Sequence, residues 1–162
     1  MQIIKPPQSF NDPNQKFTVF LAGSIEMGIA EDWQTVVEQN LSSETDLCIF
    51  NPRRDDWDAS WKQEKTNPAF HEQVSWEMDG LEKADLIVFY FSPQTKSPVS
   101  MLELGLFART GKGVVCCPEG FWRKGNVDIV CERFEIPQVD TLNEMINYIK
   151  QKRHENKSAN IN

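Results

Sequence analysis

The chain has 162 residues, enough for one domain with a proper hydrophobic core. Its 40% hydrophobic and 25% charged content is that of an ordinary globular protein, and a net charge of −7 excludes a broad surface for a nucleic-acid polymer. No apolar run approaches the roughly 18 residues of a membrane span, and the opening MQIIKPPQSFNDPNQ lacks the charged-then-apolar layout of a secretory signal.

Residues 1–16 carry Pro6, Pro7 and Pro13 among polar residues and are expected to form an irregular lead-in. FTVFLA at 17–22 is a continuous apolar, β-rich run, as in a strand buried on both faces. Gly23-Ser24 ends it, and a helix is expected through AEDWQTVVEQNL. A second strand, DLCIF, runs into NPRRDDWDASWKQEKTNP, a polar, tryptophan-bearing loop of a length usually kept for function.

The pattern then predicts a helix over PAFHEQVSWEMDGLEKA and a strand over ADLIVFYF, closed by Pro93. Ser97-Pro98 has the form of an N-cap followed by proline at the first helical position, with the helix running to about Thr110 and stopping at Gly111. GVVCC is a fourth strand. A short helix near NVDIVCERF, a weak strand around FEIPQV and an amphipathic helix over TLNEMINYIKQK complete the domain at residue 152. Residues 153–162 have the composition of a frayed polar tail.

Strands alternating with helices predict an α/β fold: a doubly wound, flavodoxin-like, mostly parallel five-stranded sheet with helices on both faces. Ligands of such sheets sit at the carboxyl ends of strands near the topological switch point. Three segments fall there: Gly23-Ser24, NPRRDDWD and SPQTKSPVSMLELG. Cys48, Cys116, Cys117 and Cys131 form no C-x-x-C pair, so no structural zinc is expected, and reduced thiols in a cytoplasmic protein are the simplest reading.

SPVSMLELGLFA, 97–108, holds one ionisable side chain, Glu103, in an otherwise apolar helix. Burial raises the pKa of a carboxylate, and one kept from water is a suitable nucleophile toward an electrophilic sugar carbon. The plainer reading is a Glu that reaches solvent or pairs with a core cation. Glu77, in SWEMDGLEKA, shares a helix face with Gly80 and Leu81 and can turn inward, whereas Asp79 and Glu82 face solvent. Two neighbouring carboxyl groups allow one to attack and the other to donate a proton. NPRRDDWD supplies Asn51, Arg53, Arg54, Asp55, Asp56 and Trp57, able to pair with an anion, read exocyclic donors or stack on a planar ring, and equally able to form a surface ion-pair cluster. His71 and His154 are isolated, with no metal-ligand spacing.

The ordered set FLAGSI, NPRRDDWD, QVSWE before LEKADLIVF, TKSPVSMLELG and CPEGFWRKGNVDIV resembles the nucleoside 2-deoxyribosyltransferase superfamily over roughly residues 17–130, in the branch described as nucleoside 2-deoxyribosyltransferase-like. That resemblance implies Glu103 as a nucleophile on C1′ of the sugar, forming a covalent glycosyl-enzyme. It implies Glu77 at the place of an Asp that assists at the nucleobase, one methylene longer here. Asn126 matches an Asn that reaches into a neighbouring subunit's site, which implies a homodimer or higher assembly. Ser97 stands where transferases acting on free nucleosides carry an Asp for the sugar 5′-hydroxyl. The related 5′-monophosphate N-glycosidases carry a Ser there and share GSI at 23–25, although Glu26 follows here.

The expected activity is cleavage of the N-glycosidic bond of a 2′-deoxynucleoside, or of its 5′-monophosphate, with transfer of the sugar to another base. Gly23, Ser24, Asn51, Arg53, Asp56, Trp57, Ser97 and Asn126 are the expected substrate-binding residues. The expected partners are a nucleoside or nucleotide and a free nucleobase, with no metal or organic cofactor. The competing expectations are a hydrolase of deoxynucleoside monophosphates, a nicotinamide-dinucleotide glycohydrolase, and a nucleotide sensor without turnover.

Overall fold

The computed structural model describes residues 1–10, 16–25, 31–54, 56, 58 and 60–159. Its strands are β1 (Gln2–Ile4), β2 (Phe17–Gly23), β3 (Leu47–Phe50), β4 (Leu86–Tyr90), β5 (Gly113–Cys116) and β6 (Gln138–Val139). The helices are α1 (Trp33–Asn40), α2 (Pro68–Lys83), α3 (Pro98–Phe107), α4 (Lys124–Phe134) and α5 (Leu142–Ala159), and a 3-10 turn, Ala108–Thr110, extends α3.

The strands form one sheet of order β1-β3-β2-β4-β5-β6, and every pairing is parallel. Parallel sheets need both faces covered, which is why β3 and β4 are buried at every residue and read as unbroken apolar runs. On one face α2, α3 and α4 pack Trp76, Leu81, Leu104 and Val127 against Phe20, Phe50, Phe89 and Phe91. On the other, α1 and α5 pack Trp33, Val37, Met145 and Ile149 against Val19, Leu21, Ile49 and Val88. Each such large apolar side chain contributes about 1.5–3 kcal/mol by leaving water.

From β2 the chain moves to β3 on one side and returns to β4 on the other, so the winding reverses between β2 and β4. That reversal leaves a crevice at their carboxyl ends. Gly23 closes β2 there with φ +149°, and a Cβ on it would lie 2.4 Å from the Tyr90 carbonyl oxygen. Only glycine lets the two strands run so close at their exits. At Gly80 a Cβ would lie 2.7 Å from the Phe20 ring, so α2 sits down on the sheet because that position has no side chain. Residues 8–10 strap the same helix: Trp76 Nε1 donates to the Gln8 carbonyl at 2.7 Å and Phe10 stacks on Trp76 with ring centroids 4.7 Å apart.

Three sequence expectations need correction. The sheet has six strands and not five, because Gln2–Ile4 pairs with β3 in the register Gln2↔Cys48; the lead-in is therefore not wholly irregular. Three residues before a Pro-Pro pair carry too short a signal, and it is the neighbouring strand that makes them extended. Residues 153–159 are not a frayed tail: α5 continues to Ala159, and Arg153, 8% exposed, is ion-paired to Glu44 and Asp46. Finally, α3 ends at Phe107, and the turn to Thr110 is tighter than an α-helix. No helix among the described residues is long and apolar enough to cross a membrane.

Candidate active site

An ordinary surface helix turns its apolar stripe inward. α3 does the reverse. Ser100 and Glu103 face the interior together with Leu104, while Val99, Leu102 and Leu106 are 58%, 64% and 56% exposed. Pro98 at the first helical position fixes the start of α3 at the exit of β4, and this sets which residues of MLELG point toward the sheet. Glu103 is 7% exposed, and no cation pairs with it among the described residues.

Glu77 of α2 is the charged group that acts on it. Burial first, and then the charge of Glu77, push Glu103 up to about 8. Glu77 is itself raised by burial, an effect opposed by a hydrogen bond from Gln73, whose Nε2 donates to Glu77 Oε1 at 2.8 Å. Two carboxyl groups from different helices thus act on one another where water is scarce, and their titrations are coupled.

At the start of α3, three hydroxyls meet. Ser24 Oγ lies 2.6 Å from Ser97 Oγ and 2.7 Å from Thr95 Oγ1, and the last two are 2.8 Å apart. Ser24 Oγ also accepts from the Ser92 backbone N–H at 2.9 Å, and Thr95 Oγ1 donates to the Ser92 carbonyl at 2.9 Å. The loop after β4 is thereby latched to the end of β2. Ser97 has the backbone of a left-handed residue, φ 45°, and its hydroxyl makes no capping bond; the N-cap position is as the sequence indicates, but the side chain is engaged by Ser24 and Thr95 instead.

The other predicted ligand-binding residues divide. Asn51, at the end of β3, spends its amide inside the protein: Nδ2 donates to Glu38 and Oδ1 accepts from the Arg53 N–H. Arg53 is ion-paired to Asp32, the N-cap of α1, at 3.3 Å. Arg54 is gripped by Asp56 and Glu72 and lies over the Trp61 ring, so this part of NPRRDDWD is an ion-pair cluster, with Asp56 exposed. Asn126, in the first turn of α4, is exposed. Trp57 and Glu26 lie outside the described residues.

Two residues of this neighbourhood escape the sequence reading. Gln73 precedes Glu77 by four, a spacing at which helical side chains meet, and that was the available signal. Thr95 has none, since its partner Ser24 is 71 positions away.

Concavities of about 430 Å³ beside the exit of β1 and about 490 Å³ at the amino ends of β2, β4 and β5 do not include Glu77 or Glu103. Both are open hollows and contain no such perturbed carboxyl pair. Among the described residues no group of three or more His, Cys, Asp or Glu is arranged to hold a metal ion. The four cysteines are free and buried, and burial pushes their thiols up, Cys116 to about 12, so they are poor nucleophiles here.

A doubly wound parallel sheet with a buried Glu103 beside a partly buried Glu77 defines a narrow class of α/β protein. The model of the family "nucleoside 2-deoxyribosyltransferase like" matches residues 16–121, and the chain belongs to that family. Among solved structures it is similar to a conserved protein from Enterococcus faecalis V583, with a TM-score of 0.60 and 15% identity over 85% of this chain and 99% of that one. At that identity the likeness concerns the fold. No curated protein matches the chain at a significant level.

Proposed function

We propose that the protein cleaves the N-glycosidic bond of 2′-deoxynucleosides and transfers the sugar to another base. The observation that carries this reading is Glu103: buried at 7% exposure, unpaired by any cation among the described residues, and facing a second carboxyl group. A carboxylate kept in that setting for structural reasons alone would lower stability without return.

In the first half-reaction a Glu103 oxygen attacks C1′. The C1′–N bond breaks with its electron pair going to the base, and Glu77 gives its proton to that base. A glycosyl ester on Glu103 and a neutral free base result. In the second half an incoming base attacks C1′ through nitrogen, loses its proton to Glu77 and releases Glu103. The competent form of the pair is singly protonated, with the proton on Glu77. Water in place of the second base would give hydrolysis.

Ser24, Thr95 and Ser97 bear on the 5′ end of the sugar. Hydroxyls at a helix N-terminus suit a 5′-phosphate, yet each of these three already has an acceptor within the cluster. The triangle is complete without a ligand, which favours the free nucleoside. A second copy of the chain belongs to the proposal: Val99, Leu102 and Leu106 on α3, with Trp122 and Ile129 near and on α4, need cover, and Asn126 stands exposed in the same region.

The deciding experiment incubates the protein with deoxynucleosides plus a different free base, and separately with deoxynucleoside monophosphates and with a nicotinamide dinucleotide. A new nucleoside supports transfer. Free base with sugar phosphate supports the hydrolase, and nicotinamide release supports the glycohydrolase. Ligand binding without any product from these substrates leaves a sensor and overturns the enzyme reading.

A further inference from the structure

Gln73 lies on the inward side of α2, 4% exposed and one helical turn before Glu77. Its Nε2 donates twice, to the Pro52 carbonyl at 3.0 Å and to Glu77 Oε1 at 2.8 Å. The Pro52 carbonyl can only accept, and this fixes which way the amide faces: an amide oxygen in that place would confront a carbonyl oxygen with no proton between them. Its Oε1 makes no hydrogen bond among the described residues, so the two contacts of Nε2 set the pose. Pro52 is buried just beyond β3, the neighbour of β2 in the sheet. Gln73 therefore ties the Glu77 carboxyl to the carboxyl edge of the sheet as well as to its own helix.

We propose that Gln73 is a positioning residue: it pins one oxygen of Glu77 against the exit of β3 and thereby holds the other oxygen toward Glu103 and the ligand. The proposal rests on the reading of Glu77 and Glu103 given above. A glutamate has several rotatable bonds, so a carboxyl without that donor swings among rotamers and meets the departing base in only some of them. The same donor favours the ionised form of Glu77 and so opposes its burial. Because the Glu77 charge in turn raises Glu103, Gln73 also bears on where the shared proton rests. The groups that face Glu77 are Gln73 on its own helix, Glu103 from α3, and, through Gln73, the neutral Pro52 carbonyl from the exit of β3.

The test uses the full chain with carboxyl-labelled glutamate, followed by NMR across pH, with E77Q and E103Q spectra to assign the two signals. In Gln73→Met, similar in length but without a donor, the Glu77 midpoint moves to higher pH. With the substrate identified by the incubation above, kcat falls about 100-fold while KM stays within about twofold. If circular dichroism shows Gln73→Met misfolded, Gln73→Glu keeps volume and polarity and carries the test; its added carboxyl also moves the Glu77 midpoint upward. A Glu77 midpoint unmoved in a folded variant overturns the proposal. A wild-type protein whose midpoint responds to Gln73 but which turns over no nucleoside fails differently: the clamp stands and the enzyme reading falls.

Discussion

Glu103 and Arg153 are the two charged residues with the least exposure among the described residues, at 7% and 8%, and they live by opposite rules. Arg153, on α5, is met by Glu44 and Asp46 from the connection between α1 and β3. Glu103, on α3, is met by no cation and instead by Glu77, a group of its own sign. A buried charge that is neutralised in place holds two elements together. One left beside a like charge stores unfavourable energy that only a bound ligand or a proton relieves, and such groups concentrate at active sites. The contrast predicts opposite responses to neutralising substitutions at the two positions.

The largest effect belongs to activity. Glu103→Gln keeps the shape of the side chain and removes the proposed nucleophile, so transfer should fall by about 10⁴-fold or more, equivalent to at least about 5.5 kcal/mol at the transition state, while ligand binding persists. Equal loss of binding and turnover would make Glu103 structural and erase the contrast. In the wild type, kcat/KM falls tenfold per pH unit above about 8, where the coupled pair loses its last proton and Glu77 has none to give. In Glu77→Gln the repulsion is gone, Glu103 ionises at lower pH, and that upper limb disappears. A limb that stays at the same pH in this variant would separate Glu77 from the chemistry.

Next in size is stability. Glu103 has its folded pKa raised from 4.5 to about 8, so the folded state holds a proton there that the unfolded chain releases as pH passes 4.5. The stabilisation from that neutral form is complete below about 4.5 and is lost as pH rises through about 8. Glu103→Gln, neutral at every pH, should match the wild type near pH 4.5 and exceed it by roughly 4 kcal/mol near pH 9, a Tm difference on the order of 10 °C. Thermal unfolding at the two pH values checks this; equal differences at both would mean that Glu103 is not held from water.

Arg153→Met gives the opposite sign. It strands Glu44 and Asp46, and although a fully buried pair would cost about 3–5 kcal/mol, their 19% and 33% exposure reduces the loss to about 2 kcal/mol. Urea unfolding midpoints measure it, and transfer activity should be unchanged. A stabilised variant would show that pairing does not account for the burial of Arg153.

The same two residues mark how far the sequence can be read. Glu103 is legible because its signal is local: a lone carboxylate in an apolar helix stands out whatever surrounds it. Arg153 is not, because its meaning depends on Asp46, 107 positions away, and without that partner RHENKSA reads as a solvated tail. β2, β3 and β4 announce themselves by unbroken apolar runs, whereas β1 is extended only because β3 lies beside it. The inward turn of Glu77 is legible from its helix face, shared with the buried Gly80 and Leu81. Asn51 and Arg53 lie at a strand end as expected, but Glu38 and Asp32 occupy them, and neither partner is visible from NPRRDDWD alone.

The smallest effect tests the start of α3, where a hydroxyl cluster rather than a charge is buried. Ser97 sits at φ 45°, a conformation that costs a non-glycine residue about 1 kcal/mol, and it is held there by Ser24 and Thr95. Ser97→Ala keeps that strain and loses both hydroxyl contacts; Ser97→Gly loses the contacts and relieves the strain. The alanine variant should therefore be the less stable of the two by about 1 kcal/mol, read from unfolding midpoints. If Ser97 also binds a 5′-phosphate, both variants raise KM for deoxynucleoside monophosphates and leave KM for deoxynucleosides unchanged. Because the hydroxyls already satisfy one another, the expected result is no such selectivity: the latch aims α3, and through α3 it aims Glu103.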